Sequence, residues 1–304
     1  MSDFFTVGSL EYIVVNWISL ICALTVVATI LLLKKMQPWA VARVTVNLHA
    51  GVALMGAMRH ICFLITPPES NNSCQMLAFM AFFTGHMSLF LNMAIAFNLQ
   101  RIYIHECQPQ EQWRWILYIL PIVVALFLDL IPIPLQAFGR EHYGTCYLDK
   151  DSPYRTIMMT LLIYSTRIPG YIYCFIVFLL VVLKLKKPHN ALADNQTLNS
   201  IHVVSSRKLA LRTSLYPLSC FISHFGGMLS NVLFAFGCPR YDFIRIWVLM
   251  GLSTIGLVNL VVFLFDPAFE IALKSSSNID PCIADQTFQD SDPLIGYSFP
   301  SNYW

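Results

Sequence analysis

Charge is scarce in this chain. Asp, Glu, Lys and Arg together make up 12% of the 304 residues, against 57% apolar and aromatic residues, and the mean hydropathy is +0.61. A soluble globule of this size needs more polar surface than that, so the composition places the chain in a bilayer. Alternation of apolar and polar residues over segments of about 10 residues is missing, which excludes an outer-membrane barrel. Helices remain, because in lipid only helices or closed barrels satisfy the backbone. The start, MSDFFTVGSLEYI, lacks a basic region and a small-residue cleavage site, so no removable signal peptide is expected and the first span serves as the insertion signal.

Other absences exclude functions. A retinal-type Schiff base needs a lysine inside the last span, and every lysine here, from Lys34 to Lys274, falls in a loop or at a span end. A seven-helix metal hydrolase needs converging ligands, commonly His residues four apart on a helix. No such pair occurs and the last span holds no His, so no metal, cofactor or catalytic residue is expected. A transporter usually carries repeated halves or paired broken helices; no repeat is visible, and a transporter with a polar midplane site stays as the alternative reading. No nucleic-acid partner is expected.

Apolar runs long enough to cross about 30 Å of hydrocarbon number seven: 12–33, 41–65, 74–102, 115–131, 154–183, 209–236 and 243–265. An odd number puts the termini on opposite sides. Lys34, Lys35, Arg43, Arg101, Arg114, Lys184, Lys186, Lys187, Arg207, Lys208, Arg212 and Lys274 share one side, which the positive-inside rule makes cytoplasmic. The N-terminus is then outside and the C-terminus inside. The fold expected is an all-α membrane protein, a seven-transmembrane-helix bundle over 1–274 that ends in a short amphipathic helix at 268–274, followed by a disordered cytoplasmic tail at 275–304. Asn71-Asn72-Ser73 is a glycosylation sequon in the first outer loop.

Ionisable side chains inside spans are costly and so are functional candidates. They are Arg59 and His60 in the second span, His86 in the third, Asp129 in the fourth, Arg167 in the fifth and His224 in the sixth, mostly in the outer half. Helical spacing adds Asn231 to a stripe with Tyr216, Cys220, His224 and Gly227. A single buried His more often joins helices than binds a ligand, and Arg59 could reach the headgroups. Taken together, these residues are expected to bind a small extracellular ligand. Arg59 and Arg167 outnumber Asp129, which gives that ligand anionic or strongly hydrogen-bonding character.

Three short motifs carry a resemblance. The third span reads Ile95-Ala96-Phe97-Asn98 and continues Leu99-Gln100-Arg101 where rhodopsin-type receptors have an acidic-Arg-aromatic triplet; the sixth contains Leu215-Tyr216-Pro217-Leu218; the seventh closes Phe265-Asp266-Pro267. In these the chain resembles G-protein-coupled receptors of the cyclic-AMP-receptor-like group, which includes fungal nutrient-sensing receptors. The resemblance implies coupling to a heterotrimeric G protein at the plasma membrane, with Arg101, Arg207, Lys208, Arg212, Tyr216, Pro217, Asn259 and Asp266 serving activation and coupling. By analogy with such receptors Cys74 and Cys146 are expected to form a disulfide; two free thiols are the other reading. Tyr216-Pro217 is expected to be a hinge, since Pro217 removes a backbone donor and crowds the Thr213 carbonyl.

Overall fold

The computed structural model of the chain describes residues 10–36, 38, 43–65, 70–107, 111–140, 146–186, 197–236, 242–266 and 269. Helices α1 (Leu10–Met36), α2 (Val44–Leu64), α3 (Asn71–Leu99, continued by a π turn Gln100–Ile104) and α4 (Glu111–Leu130) form the first four spans. A two-stranded antiparallel hairpin, β1 (Phe138–Arg140) with β2 (Cys146–Leu148), follows. The fifth span is α5 (Arg155–Met159), a π-helical segment Thr160–Arg167 and α6 (Ile168–Lys186); the sixth is α7 (Thr197–Ala235). The seventh is a pair, α8 (Asp242–Ser253) and α9 (Ile255–Leu264), bent by 50° at Thr254. By length and apolarity α1, α3, α4 and the fifth span can each cross a membrane, and the bent pair makes a fifth crossing. The more polar α2 and α7 complete the seven-helix bundle.

The distribution of polarity is inverted relative to a soluble protein. Asn16, Ser19, His49, His60, His86 and Asp129 are each fully buried, while Trp17, Ile119, Val123, Phe127, Ile172 and Ile176 face outward. Large apolar groups spread over a whole surface mark contact with lipid, and the chain is a membrane protein. Helix α3 sits at the centre, packed against α2, α4, α6, α7 and both strands. That position explains why opposite faces of it, Thr84 with Ser88 and Asn92 on one side and His86 on the other, are all buried.

Two departures from expectation have local causes. The π segment precedes Pro169, whose ring cannot accept the carbonyl four residues back in a regular α-helix; widening the preceding turns absorbs the misfit. Residues 197–208, which the bounds 154–183 and 209–236 leave between the fifth and sixth spans, extend α7 instead. Once the span is helical, adding a turn to it avoids the cost of nucleation. The amphipathic segment 268–274, apart from Phe269, and the tail 275–304 lie outside the described residues.

Cys74 and Cys146 are joined, with their Cα atoms 5.2 Å apart and 72 residues between them. The bond pins β2 to the start of α3, and Phe138, Leu148 and Phe82 pack beneath it. This end of the bundle is called the hairpin end below. Replacing both cysteines by serine is expected to lower the unfolding temperature of the purified protein clearly, because removing a native disulfide typically costs about 2–5 kcal/mol. An unchanged thermal transition, or free thiols at both positions in non-reduced peptides, would contradict it.

Candidate functional site

One turn below the Phe82 ring, α3 turns His86 toward α4. Its Nδ1–H donates to Asp129 Oδ1 at 2.7 Å, and neither side chain is exposed to any degree. On the other side of the ring, Arg167 Nε–H donates to His86 Nε2 at 3.1 Å, while the Leu162 carbonyl oxygen stands 3.0 Å from the same nitrogen. The neutral imidazole protonated on Nδ1 satisfies Asp129 and Arg167 together; a proton on Nε2 would turn to Leu162 and displace Arg167. The π-helical segment sets this geometry, since both Leu162 and Arg167 belong to it. The Arg167 guanidinium also lies 4.8 Å from the centre of the Phe82 ring, a favourable cation–π contact.

A second arginine approaches from α2. Arg59 is buried and its Nη1 donates to His224 Nε2 at 3.2 Å, while His224 Nδ1–H donates to the Cys220 carbonyl at 3.0 Å. The His224 ring stacks on Tyr171 at 4.5 Å. Arg59 Nε is buried without a hydrogen-bond partner.

The two guanidinium groups converge on Gly85. A Cβ there would lie 3.3 Å from Arg167 Nη2 and 3.7 Å from both Cζ and Nη1 of Arg59. Each arginine uses a neutral imidazole as its acceptor, and no ion pair joins either to a carboxylate among the described residues. Like charges a few ångström apart repel by a few kcal/mol even at an effective dielectric constant of about 20. Asp129 offsets only one of the two, and its carboxylate is engaged with His86.

His60, adjacent to Arg59 in sequence, points elsewhere. Its Nδ1–H donates to Asn16 Oδ1 at 2.9 Å, and the Ser19 hydroxyl donates to its Nε2 at 2.9 Å. Asn16 Nδ2 then donates to Ser253 Oγ at 3.1 Å, and Gly256 N–H donates to Ser19 Oγ at 2.7 Å. Every group in this chain has its proton assigned without any charge. It fastens α1 and α2 to the bend between α8 and α9, where a Cβ at Gly256 would collide with the Ser19 carbonyl. His60 therefore stands in a joint between helices, apart from the other proposed ligand residues.

Toward the opposite end of the bundle, Tyr216 donates its hydroxyl proton to Asp266 Oδ2 at 2.6 Å, both residues buried. The Tyr216 ring lies 4.0 Å from that of His49, which is itself 6.2 Å from Phe263. Asn259 is buried on α9 in the same region. Pro217, next to Tyr216, lies buried inside α7. Arg101 stacks 4.4 Å above Trp113, and Lys184 is held to the Ile104 carbonyl at 3.1 Å and to Glu106 at 2.6 Å. The Lys184 ammonium holds the exposed Glu106 carboxyl below the usual carboxylate range.

Of the expected ligand residues, Arg59, His86, Asp129, Arg167 and His224 thus form one layer near the hairpin end and His60 forms part of another network. Arg207, Lys208 and Asn231 lie on α7, with side chains outside the described residues. Arg212 is half-buried, and Asn71 is exposed in the first turn of α3. Sequence reasoning passed over His49, although an ionisable group inside the second span was the signal. It also passed over Gly85, Asn16 and Ser253, whose roles depend on neighbours in space.

No protein-family model matches the sequence, and no curated protein matches it. Among solved structures, squid rhodopsin superposes on the chain with a TM-score of 0.65 at 14% identity, covering 96% of this chain and 94% of that one. The bundle described above is therefore a rhodopsin-type seven-helix fold. The likeness is one of fold: residues 243–265 here contain no lysine.

Proposed function

We propose that the chain is a plasma-membrane receptor that binds a small extracellular ligand at the hairpin end and activates a heterotrimeric G protein at the opposite end. Helix α7 carries the reading. It holds His224, paired with Arg59, in the charged layer, and about 12 Å further along at 1.5 Å per residue it holds Tyr216, anchored to Asp266. A ligand that repositions Arg59 or His224 acts on the same helix that Tyr216 fastens to the last span. The motifs Leu215-Tyr216-Pro217-Leu218 and Phe265-Asp266-Pro267 support placement in the cyclic-AMP-receptor-like group, with Arg101, Arg207, Lys208 and Arg212 on the face toward the G protein. In this reading the N-terminus and Asn71 are extracellular and the chain performs no catalysis of its own.

The test sets receptor against transporter. Co-expression with a panel of Gα subunits is expected to speed GTP exchange on at least one of them, and sealed vesicles carrying the protein are expected to take up none of a panel of sugars, amino acids and nucleotides. Uptake without exchange would replace the receptor with a transporter.

A further inference from the structure

We propose that the place between Arg59 and Arg167, at Gly85, is the seat of a single oxyanion, the carboxylate or phosphate of a small soluble ligand. The proposal deepens the receptor reading and rests on it for the direction from which the ligand comes. Three observations carry it. First, both guanidinium groups lie against one glycine, at 3.3 and 3.7 Å from where a side chain would begin, so α3 offers its bare backbone to both at that point. Second, Arg59 is buried and its Nε lacks a partner, while its Nη1 is bonded to an imidazole. Third, the charge of this layer does not close among the described residues. With the imidazoles neutral, Arg59 and Arg167 face Asp129 alone, and Asp129 is spent on His86, leaving one positive charge over.

An oxyanion supplies the missing counter-charge and an acceptor beside the two guanidinium groups. A planar carboxylate or a phosphate accepts from two N–H groups of one arginine or bridges two arginines, and in a low-dielectric site such charge-assisted bonds are the strong ones. A cation would add to the excess charge, and an uncharged polyol would leave it in place. Phe82, below Arg167, and Tyr171, stacked on His224, wall the layer with aromatic faces, which suits a ligand with a small apolar or flat body attached to its anionic group.

The experiment uses the full chain purified in maltoside micelles free of phospholipid. Citrate and inorganic phosphate are titrated at constant ionic strength held with chloride, with glycerol and glucose as uncharged controls, and thermal unfolding is followed. The expected result is a saturable rise in unfolding temperature with at least one of the two anions and none with the controls. That rise is lost in Arg167→Gln. In Gly85→Ala, which keeps both charges and puts a methyl group into the seat, the midpoint concentration rises at least tenfold. No anion-specific rise in the wild type overturns the proposal, as does an equal rise in Gly85→Ala. Stabilisation that appears only when phosphatidylglycerol is added assigns the site to a lipid headgroup and overturns the soluble ligand. Anion binding that leaves GTP exchange on every Gα unchanged would instead remove the receptor reading and leave the anion site standing.

Discussion

Asp129→Asn is expected to abolish most surface expression. The carboxylate is fully buried, and among the described residues its only hydrogen bond is the one to His86. Neutralising it leaves the charges of the two buried arginines without their one nearby counter-charge, and an uncompensated buried charge is strongly destabilising, against the roughly 5–15 kcal/mol by which folded proteins are stable. The amide can still accept from His86 Nδ1–H, so the hydrogen-bond geometry survives and the charge does not. The layer then holds Arg59 and Arg167 with no anion among the described residues. This makes the loss specific: adding Arg167→Gln to Asp129→Asn is expected to restore expression beyond what the two single variants predict additively, a coupling between groups that share His86. Flow cytometry of surface-labelled cells reads both. Normal expression of Asp129→Asn, or a double variant worse than the single, would show that Asp129 does not balance the arginines.

How far the sequence foretold this layer depends on the kind of information required. Span positions were readable because length and apolarity alone decide whether a helix crosses a membrane. The participants Arg59, His86, Asp129, Arg167 and His224 were readable for a related reason, that an ionisable group in hydrocarbon is expensive enough to need an explanation. Their pairing was not. That Asp129 meets His86, and that Arg167 reaches the far side of the same ring, depends on how α3 is rotated against α4 and on the widened turns of the π segment, and neither is coded in residue spacing. His60 shows the converse. By spacing it neighbours Arg59, yet successive residues on a helix point about 100° apart, and this angle turns it away to Asn16 and Ser19 on α1. Gly85 was invisible because its contribution is an absent side chain, which has meaning only once two arginines are seen to converge on it. The bend at Thr254 lacked a signal of its own, since neither Pro nor Gly stands at that position.

Pro217→Ala is expected to leave expression and anion binding unchanged and to lower receptor-stimulated GTP exchange about tenfold. The proposed hinge has an anchor directly beside it. Tyr216 is held at both ends, its hydroxyl on Asp266 and its ring against His49, while the following residue offers no N–H to the helix and crowds the carbonyl of Thr213. In the proposed hinge, α7 is fixed at Tyr216 and weakened in the turn from Thr213 to Pro217, so that a shift at His224 changes the direction of the segment toward Thr197, which carries Arg207, Lys208 and Arg212. Alanine restores the missing donor and stiffens the joint, so that a shift produced at His224 no longer alters the angle of the basic segment. Loosening the anchor has the opposite effect. Tyr216→Phe removes a hydrogen bond to a carboxylate, about 1.5–3 kcal/mol, and if that bond favours the resting arrangement the two-state ratio moves by about tenfold or more; basal GTP exchange is expected to rise without ligand. Exchange assays on membranes with matched receptor number distinguish the cases. A Pro217→Ala variant that signals as the wild type does would remove the hinge, and one that fails to reach the surface would show the proline to be a packing element, with α7 acting as a rigid rod.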